Sequence, residues 1–373
     1  MKRILPYILT FITNIGLAQS AISLPIVNNQ LPTDTLRILM IGNSFTEDVT
    51  EYIGEIVKHA GIDEKTCCVY RITKPGASLQ LWRDKYKNNS IVSLEKKAGE
   101  LAMDVTNGTL KEIFHQNWDV ISMQQLSNYS NDITTFSPYL EDLLSNIQND
   151  CTNKSVAFCW HLTWSYWKEH TTSGPKEYSG WATIVSAVEQ MMAKYGIDII
   201  IPSGTAIQNA RATELNTEKS LTRDGYHIDL EVGRYIIACS LFETLFEPVY
   251  GTSVSSISWI PKNVSESEAL VARDCAVKAV ENWHEAAYKM GSISKGDFLI
   301  FPNPTTEYVF ICNDSITDPV VCSIYDSIGK RVYKEKVFIK GIFRIDVSQF
   351  KRGTYTIQLK CGKIEKTQRI EKL

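Results

Sequence analysis

The stretch ILMIGNSFTEDVTEYIGEIV, residues 38–57, joins an apolar run to a helical pattern through a sharp polar turn. The unbroken apolar run at residues 38–41 predicts a strand that is buried on both faces of a sheet. Apolar residues then recur at helical spacing, starting within a few residues of the turn. Between the two patterns lies Gly42-Asn43-Ser44, so the predicted strand is followed by a serine. In an open parallel sheet the functional crevice lies beyond the carboxyl ends of the strands, which makes this serine the first residue to consider.

The same alternation of short apolar runs with amphipathic stretches extends to about residue 290. It predicts an α/β domain of three layers, in which helices cover both faces of a parallel sheet. Strands are expected at residues 37–41, 66–72, 120–123, 156–160 and 197–201. Helices are expected at residues 46–60, 139–149, 181–195, 230–246 and 265–290. The chain has 373 residues, which is more than one core usually fills, so a second and smaller domain is expected.

Beyond residue 290 the pattern changes to short alternating strands separated by tight turns. A linker is predicted at residues 291–296, followed by a small β-sandwich at residues 297–373. Residues 327–330 and 361–363 are expected to form hairpin turns.

The N-terminus and the overall charge limit the function class. Residues 1–18 have the basic start, apolar stretch and small residues of a secretion signal that is cleaved after Ala18. No other stretch is long enough to cross a membrane. Asp and Glu outnumber Lys and Arg by 42 to 39, a net charge of -3, so the basic field that nucleic-acid binding needs is lacking. We therefore expect an exported protein with no nucleic-acid partner and, after signal removal, no transmembrane segment.

The sequence predicts neither a metal ion nor a cofactor. None of the nine cysteines shows the paired spacing of a structural metal site. No acidic or histidine partners lie at metal-ligand spacing from His59, His115, His170 and His284. Disulfides could form in an exported chain, but no pairing can be assigned. Cys239 and Cys275 lie in apolar helical patterns and are interpreted as small core residues.

A hydroxyl becomes a nucleophile when a base takes its proton, and an imidazole becomes an effective base when a carboxylate holds its tautomer. Asp224 and His227 suit these two roles. They lie three residues apart across a turn that contains Gly225, so the carboxylate can reach the inner ring nitrogen and leave the outer one facing Ser44. Taken alone, a serine after a strand is most often a helix cap. Together the three residues predict a catalytic triad in the chain order Ser, Asp, His.

Donors for a developing oxyanion come after the second and third predicted strands. Gly76 lies after the second strand, where a residue without a side chain can bring its backbone N–H close to a ligand. After the third strand come the side-chain amides of Gln124, Gln125 and Asn128. Any of these three amides could complete an oxyanion hole.

An aromatic stretch at residues 160–167 comes after the fourth predicted strand. Trp160, His161 and Trp164 are predicted to border the same crevice and to contact substrate, since flat aromatic rings suit the faces of sugars. Core packing explains the same residues equally well, so both interpretations stay open.

These motifs resemble the SGNH (GDSL-type) hydrolase superfamily, and more narrowly the secreted Bacteroidetes branch known as the DUF4886 domain. The resemblance covers about residues 36–250. It implies a flavodoxin-like three-layer α/β/α hydrolase fold, expected to fill residues 36–290, and ester hydrolysis through an acyl-serine. The matching blocks, in chain order, are Gly42-Asn43-Ser44-Phe45-Thr46, Gly76, residues 118–125 with Asn128, and Asp224-Gly225-Tyr226-His227.

The same resemblance implies an oxyanion hole made by the backbone N–H groups of Ser44 and Gly76 and by one side-chain amide. Asn128 falls where the family's oxyanion asparagine is expected, with Gln124 and Gln125 as alternatives. Two departures from the family pattern are evident. Asn43 replaces the usual aspartate before the serine, and the third block lacks the common Gly-x-Asn-Asp sequence.

Three motifs near the C-terminus, at residues 301–307, 324–330 and 345–355, resemble the type A sorting domain of the type IX secretion system. This resemblance covers residues 297–373. It implies export through the outer membrane, with the secretion machinery as the partner of this region, so the protein is expected to be secreted or held at the cell surface. An accessory or binding β-sandwich is the alternative.

The combined expectation is a secreted serine esterase that removes acyl groups, above all O-acetyl groups, from carbohydrate. The preference for acetylated glycans rests on analogy with secreted family members. An acyltransferase would use the same triad with a sugar hydroxyl in place of water, and a non-catalytic glycan-binding protein on the same fold is a further alternative. A metal-dependent phosphoesterase is disfavoured because the sequence shows no cluster of metal ligands.

Overall fold

The structure is a computed structural model that describes residues 27–286, 298–301, 305, 308–313, 318–337, 341–362 and 364–372. The predicted signal peptide at residues 1–18 and the predicted linker at residues 291–296 lie outside the described residues. The exact domain boundaries therefore stay predictions.

A six-stranded sheet forms the centre of the first region. Its strand order is β4-β2-β1-β6-β7-β8, and every neighbouring pair is parallel except β2 with β4, while β3 and β5 form a separate two-stranded ribbon. The predicted parallel sheet is thus confirmed, with an antiparallel edge strand added. The strands are β1 (Leu36–Gly42), β2 (Cys67–Thr73), β3 (Ile91–Val92), β4 (Glu95–Ala98), β5 (Gly108–Thr109), β6 (Val120–Met123), β7 (Ala157–His161) and β8 (Ile199–Ile201).

Helices cover both faces of this sheet. Strand β1 shows why, because Ile38 and Met40 belong to one buried apolar cluster whereas Leu39 and Ile41 belong to another on the opposite face. The three-layer α/β/α fold is therefore confirmed. The helices are α1 (Ser44–Thr50), α2 (Ile53–His59), α3 (Leu79–Lys87), α4 (Leu110–Phe114), α5 (Tyr139–Asp150), α6 (Glu177–Tyr195), α7 (Ser203–Ala210), α8 (Val232–Leu245), α9 (Glu247–Tyr250) and α10 (Glu266–Glu281).

The single helix predicted at residues 46–60 is wrong, because the structure has two shorter helices there. Helix α1 ends where the backbone N–H of Glu51 bonds the carbonyl of Asp48, and α2 begins at Ile53. The break lets α2 lie directly on the edge strand β4. A Cβ atom at Gly54 would sit 2.6 Å from the carbonyl oxygen of Lys97, so only glycine permits this approach.

The described C-terminal residues form two antiparallel sheets around a core of their own. Their orders are β13-β10-β9 and β12-β11-β14-β15, and residues of both sheets share one apolar cluster. The predicted turn at residues 327–330 joins β11 to β12, with Gly329 at φ +80°. The strands are β9 (Leu299–Phe301), β10 (Tyr308–Asn313), β11 (Val320–Tyr325), β12 (Arg331–Val337), β13 (Gly341–Asp346), β14 (Gly353–Cys361) and β15 (Ile364–Lys372).

Eight cysteines of the described part of the chain are buried as free thiols. Cys239 and Cys275 pack in the apolar core, as the sequence predicts. Burial raises the pKa of the Cys67 thiol to about 12, which keeps it protonated and unreactive. Within the same described residues, no helix is both long enough and apolar enough to cross a membrane.

Candidate active site

The turn after β1 presents the hydroxyl of Ser44 at the carboxyl end of the sheet. Asn43 is the N-cap of α1, because its Oδ1 accepts the backbone N–H of Phe45 at 3.0 Å. Ser44 is therefore the first helical residue rather than the cap. A Cβ atom at Gly42 would lie 2.1 Å from Oγ1 of Thr46, so the sharpness of the turn depends on this glycine.

Ser44, His227 and Asp224 form a continuous line of hydrogen bonds. Oγ of Ser44 lies 2.9 Å from Nε2 of His227, and Nδ1 of the same ring lies 2.6 Å from Oδ2 of Asp224. Oδ1 of Asp224 accepts the backbone N–H of His227 at 2.8 Å. The structure thus brings together the three residues that the sequence singled out, although 183 residues separate Ser44 from His227 in the chain.

The electrostatics of this line suit proton transfer. Burial raises the pKa of the Asp224 carboxyl, but the hydrogen bonds from His227 and Tyr226 outweigh it, and the pKa lies below its ordinary value. Asp224 is therefore ionised at neutral pH and accepts the Nδ1 proton of His227. Nε2 is then the ring nitrogen that can take a proton from Ser44.

A buried carboxylate ties the histidine loop to α1. Asp48 is 1% exposed and accepts hydrogen bonds from Nε and Nη2 of Arg234 at 2.8 and 2.7 Å. Arg223 donates to both oxygens of the same carboxylate at 3.2 Å. Since Arg223 precedes Asp224 in the chain, this cluster fixes the loop of Asp224 and His227 against the helix that begins at Ser44.

A cavity of about 420 Å³ opens beside the triad, and Ser44, Gly76, Asn128 and His227 all line it. Gly76 has φ +68°, and within the described part of the chain its N–H donates to no backbone acceptor. The N–H of Ser44 belongs to the first turn of α1, where backbone donors have no intrahelical acceptor. Ser44 and Gly76, which both line the cavity, thus each carry a backbone N–H without a backbone acceptor among the described residues.

Asn128 is the one amide of the three sequence candidates that lines the cavity. Its Oδ1 accepts a hydrogen bond from the hydroxyl of Tyr166 at 3.0 Å, which leaves Nδ2 as its available donor. Burial raises the pKa of Tyr166 to about 12, so the phenol keeps its proton. Tyr166 was not singled out from the sequence, although it lies within the aromatic stretch at residues 160–167.

Gln124 and Gln125 are buried and face away from the cavity, which argues against their role as alternative oxyanion donors. Nε2 of Gln124 donates to Oδ1 of Asn43 at 2.9 Å. Nε2 of Gln125 donates to the carbonyl of Thr135 at 2.9 Å, and its Oε1 accepts the N–H of Leu79 at 3.1 Å. Their amide groups are engaged in holding the surrounding loops.

Trp160, His161 and Trp164 do not reach the cavity, which corrects their predicted contact with substrate. Each is at most 2% exposed, so core packing, the alternative left open by the sequence, accounts for them. The ring of Trp164 stacks on Phe45 with centroids 4.0 Å apart. Burial lowers the pKa of His161 to about 3, so its imidazole is neutral. The backbone N–H of Leu162 donates to the carbonyl of Ile201, and the N–H of Gly204 donates to the carbonyl of Leu162. These bonds hold the segment after β7 against the start of α7.

The aromatic wall of the cavity is made by Tyr166, His170 and Tyr226 instead. The ring of Tyr226 lies 3.9 Å from that of His227, and 4.9 Å from that of His170, centroid to centroid. Tyr226 could have been found from the sequence, because it directly precedes the histidine in the last motif. His170 lies several residues beyond the aromatic stretch and carries no comparable signal. Among the described residues, no group of three or more His, Cys, Asp or Glu side chains could hold a metal ion.

Two family models match the chain. The first, described as a domain of unknown function (DUF4886), matches residues 37–279, and the second, a secretion system C-terminal sorting domain, matches residues 299–372. The type IX sorting domain indicates a secreted or cell-surface protein. Among curated proteins, none matches this chain.

A solved structure shares the fold of most of this chain. A DUF4886 family protein from Bacteroides uniformis ATCC 8492 is 29% identical, with a TM-score of 0.60, over 68% of this chain and 97% of that chain. A protein described as a GDSL-like lipase from Parabacteroides merdae ATCC 43184 is 13% identical, with a TM-score of 0.40, over 58% of this chain and 98% of that chain. Because the first family model covers more than half of the sequence, the chain belongs to the DUF4886 family.

Proposed function

We propose that this protein is a secreted serine esterase that hydrolyses ester bonds through an acyl-serine intermediate, with O-acetyl groups on carbohydrate as its substrates. The observation that carries the proposal is the line of hydrogen bonds from Ser44 through His227 to Asp224 at the wall of an open cavity. A residue that only caps a helix has no need of an imidazole held by a carboxylate.

In the proposed first half-reaction, Oγ of Ser44 attacks the ester carbonyl carbon while its proton passes to Nε2 of His227. The carbonyl oxygen becomes an oxyanion, which accepts hydrogen bonds from the N–H groups of Ser44 and Gly76 and from Nδ2 of Asn128. Collapse of this tetrahedral species breaks the bond to the alcohol oxygen, which takes the proton from His227. Asp224 stabilises the imidazolium while it exists.

The second half-reaction repeats these steps with water. His227 takes a proton from the water, whose oxygen attacks the acyl carbon and forms a second oxyanion in the same hole. When this species collapses, the carboxylic acid leaves and Ser44 recovers its proton from His227. A sugar hydroxyl in place of water would make the same residues an acyltransferase.

Two features support a carbohydrate ester. The half-buried ring of Tyr226 offers an apolar face with a polar edge beside the triad, which suits a sugar ring. The sorting domain at residues 299–372 also takes the protein outside the cell, where acetylated glycans are available. The second argument is one of compartment and is weaker than the geometry of the triad.

The test is release of 4-nitrophenol from its acetate and butyrate esters by the wild type, Ser44→Ala and His227→Ala. Ser265→Ala is the matched control, because Ser265 caps the distant helix α10. We expect both active-site variants to lose on the order of a thousandfold or more in kcat, and the control to retain wild-type kcat. Activity that survives both substitutions would sink the proposal. Acetylated oligosaccharides, with and without an added sugar acceptor, then separate hydrolysis from acyl transfer.

A further inference from the structure

A chain of buried side-chain hydrogen bonds runs behind Ser44, from His161 to the loop that carries Gly76. Nδ1 of His161 lies 2.7 Å from Oε1 of Gln124. Nε2 of Gln124 donates to Oδ1 of Asn43 at 2.9 Å, and Nδ2 of Asn43 donates to the carbonyl of Ala77 at 3.0 Å. His161, Gln124 and Asn43 are each 1% exposed. These hydrogen bonds therefore link the ends of β7, β6 and β1 to Ala77, the residue directly after Gly76.

Each bond in this chain fixes the orientation of the next. The Oε1 atom of Gln124 also accepts the hydroxyl of Thr46 at 2.7 Å, so the Gln124 amide nitrogen must face Asn43. Oδ1 of Asn43 accepts both this nitrogen and the backbone N–H of Phe45, so its own amide nitrogen must face Ala77.

His161 begins the chain as a neutral donor. Its Nδ1 faces an acceptor, Oε1 of Gln124, and its Nε2 lies 2.9 Å from the hydroxyl of Ser203. The tautomer with a proton on Nδ1 satisfies both contacts. Because burial holds the imidazole neutral, the donor-to-acceptor order of these hydrogen bonds does not change over the ordinary pH range.

The last of these hydrogen bonds, from Asn43 to Ala77, joins the two residues that are next in sequence to Ser44 and Gly76. Ser44 comes directly after Asn43 in the sequence, and Ala77, whose carbonyl Asn43 binds, comes directly after Gly76. The loop itself contains one turn bond, from the N–H of Ala77 to the carbonyl of Lys74 at 3.0 Å. Lys74 N–H also donates to the carbonyl of Gly42 at 3.3 Å, before Gly76 in the chain, and the Asn43 amide holds the loop at the residue after Gly76.

We propose that His161, Gln124 and Asn43 are positioning residues, which act as a directed hydrogen-bond relay to hold the Gly76 N–H in place for the oxyanion. The inference rests on the proposed esterase function, because it takes the Gly76 N–H as an oxyanion donor. It gives a reason for an amide at position 43. A carboxylate accepts hydrogen bonds from Phe45 and Gln124 but cannot donate to Ala77.

The relay is tested with Asn43→Asp, which removes the donor but adds a carboxyl group, and with Asn43→Ser, which adds no charge and can still cap α1. Asn153→Asp is the matched control. Like Asn43, Asn153 accepts the backbone N–H of the residue two positions later, Ser155, at 2.9 Å. Its Nδ2 donates to the carbonyl of Trp118 at 3.0 Å. For each variant, kcat and KM are measured with 4-nitrophenyl acetate, and amide hydrogen exchange is measured across residues 74–79.

We expect both Asn43 variants to lose roughly ten- to a hundredfold in kcat, with KM changed less than about threefold, because a displaced oxyanion donor weakens the transition state alone. Exchange across residues 74–79 should become faster in both, and neither quantity should change in Asn153→Asp. Unchanged exchange, or faster exchange with wild-type kcat, would overturn the relay. If the wild type hydrolyses no ester, the proposed function fails. If exchange at residues 74–79 is also unaltered in the Asn43 variants, the relay fails with it.

Discussion

The hydroxyl of Tyr166 lies 3.0 Å from Oδ1 of Asn128, and 2.7 Å from the hydroxyl of Ser127. Ser127 can donate to the phenol oxygen, so the phenol proton is available to Asn128. The contact occupies Oδ1 of Asn128, a residue of the cavity wall, and leaves Nδ2 as its donor. Tyr166 is thus placed to orient a proposed oxyanion donor.

Tyr166→Phe should lower kcat about three- to tenfold and leave KM within about twofold, because one neutral hydrogen bond orients Asn128. Steady-state kinetics with 4-nitrophenyl acetate provide the measurement. Tyr235→Phe is the control, since that buried hydroxyl donates to the carbonyl of Trp259 at 3.0 Å, away from the cavity. A rise in KM with unchanged kcat would mean that Tyr166 contacts substrate rather than orienting Asn128.

Asp224→Asn should lower kcat by roughly a thousandfold, because an amide can present its N–H to Nδ1 of His227 and favour the wrong tautomer. The side chain of Asp224 is 42% exposed, so water can partly replace it and the loss is smaller than that of Ser44→Ala. The kcat values and pH–rate profiles of Asp224→Asn and Ser44→Ala provide the comparison. Equal kcat in wild type and Asp224→Asn would exclude the carboxylate from the mechanism.

Asp48→Asn should lower the free energy of unfolding by about 2–3 kcal/mol, because it leaves Arg223 and Arg234 without their buried carboxylate. Both guanidinium groups retain some exposure, which limits the cost. Urea denaturation measures the change. Asp274→Asn is the control, since its pair with Lys278 lies on the surface of α10 and contributes little.

Acid should destabilise the fold through His161. In the unfolded chain the pKa of this imidazole is near its ordinary value of 6.5, whereas burial lowers it to about 3 in the folded protein. Between these values the unfolded state binds the additional proton, so stability falls as pH drops below 6.5, at about 1.4 kcal/mol per pH unit. At pH 5 the loss amounts to about 2 kcal/mol.

Denaturation of His161→Gln at several pH values tests this dependence. The slope of stability between pH 6.5 and 4 should become shallower than in the wild type, whatever the variant's stability at neutral pH. His59→Gln, which replaces a histidine on the surface of α2, is measured beside it as the control. An unaltered slope in His161→Gln would show that other groups cause the acid sensitivity.

The strand-end residues could be predicted from sequence because parallel strands bring the residues at their carboxyl ends to one edge of the sheet. Ser44, Gly76 and Asn128 meet at the cavity for this reason, and His227 joins them from the loop before α8. The sequence does not tell whether the side chain of a strand-end residue lines the cavity or is buried in the core. His161 lies at the same edge but turns inward, where its buried ring contacts Gln124 and Ser203.

The elements that sequence missed depend on tertiary contacts. Strand β4 is mostly charged, Glu-Lys-Lys-Ala, and pairs antiparallel to β2, where Glu95 forms an ion pair with Arg71, so no apolar pattern predicts it. Gln124 and Gln125 are adjacent amides whose roles differ only by the partners that the fold supplies. Which amide faces a cavity is decided by those partners and not by residue type.

Ser44 and His227 are hydrogen-bonded although 183 residues separate them along the chain. In the proposed mechanism neither residue acts on an ester alone, and their contact requires β1 and the loop before α8 to occupy their final places. The site is therefore absent from a chain that is still being synthesised or exported in an unfolded state. Activity would begin only once the whole α/β domain has folded, so hydrolysis reports the completion of folding.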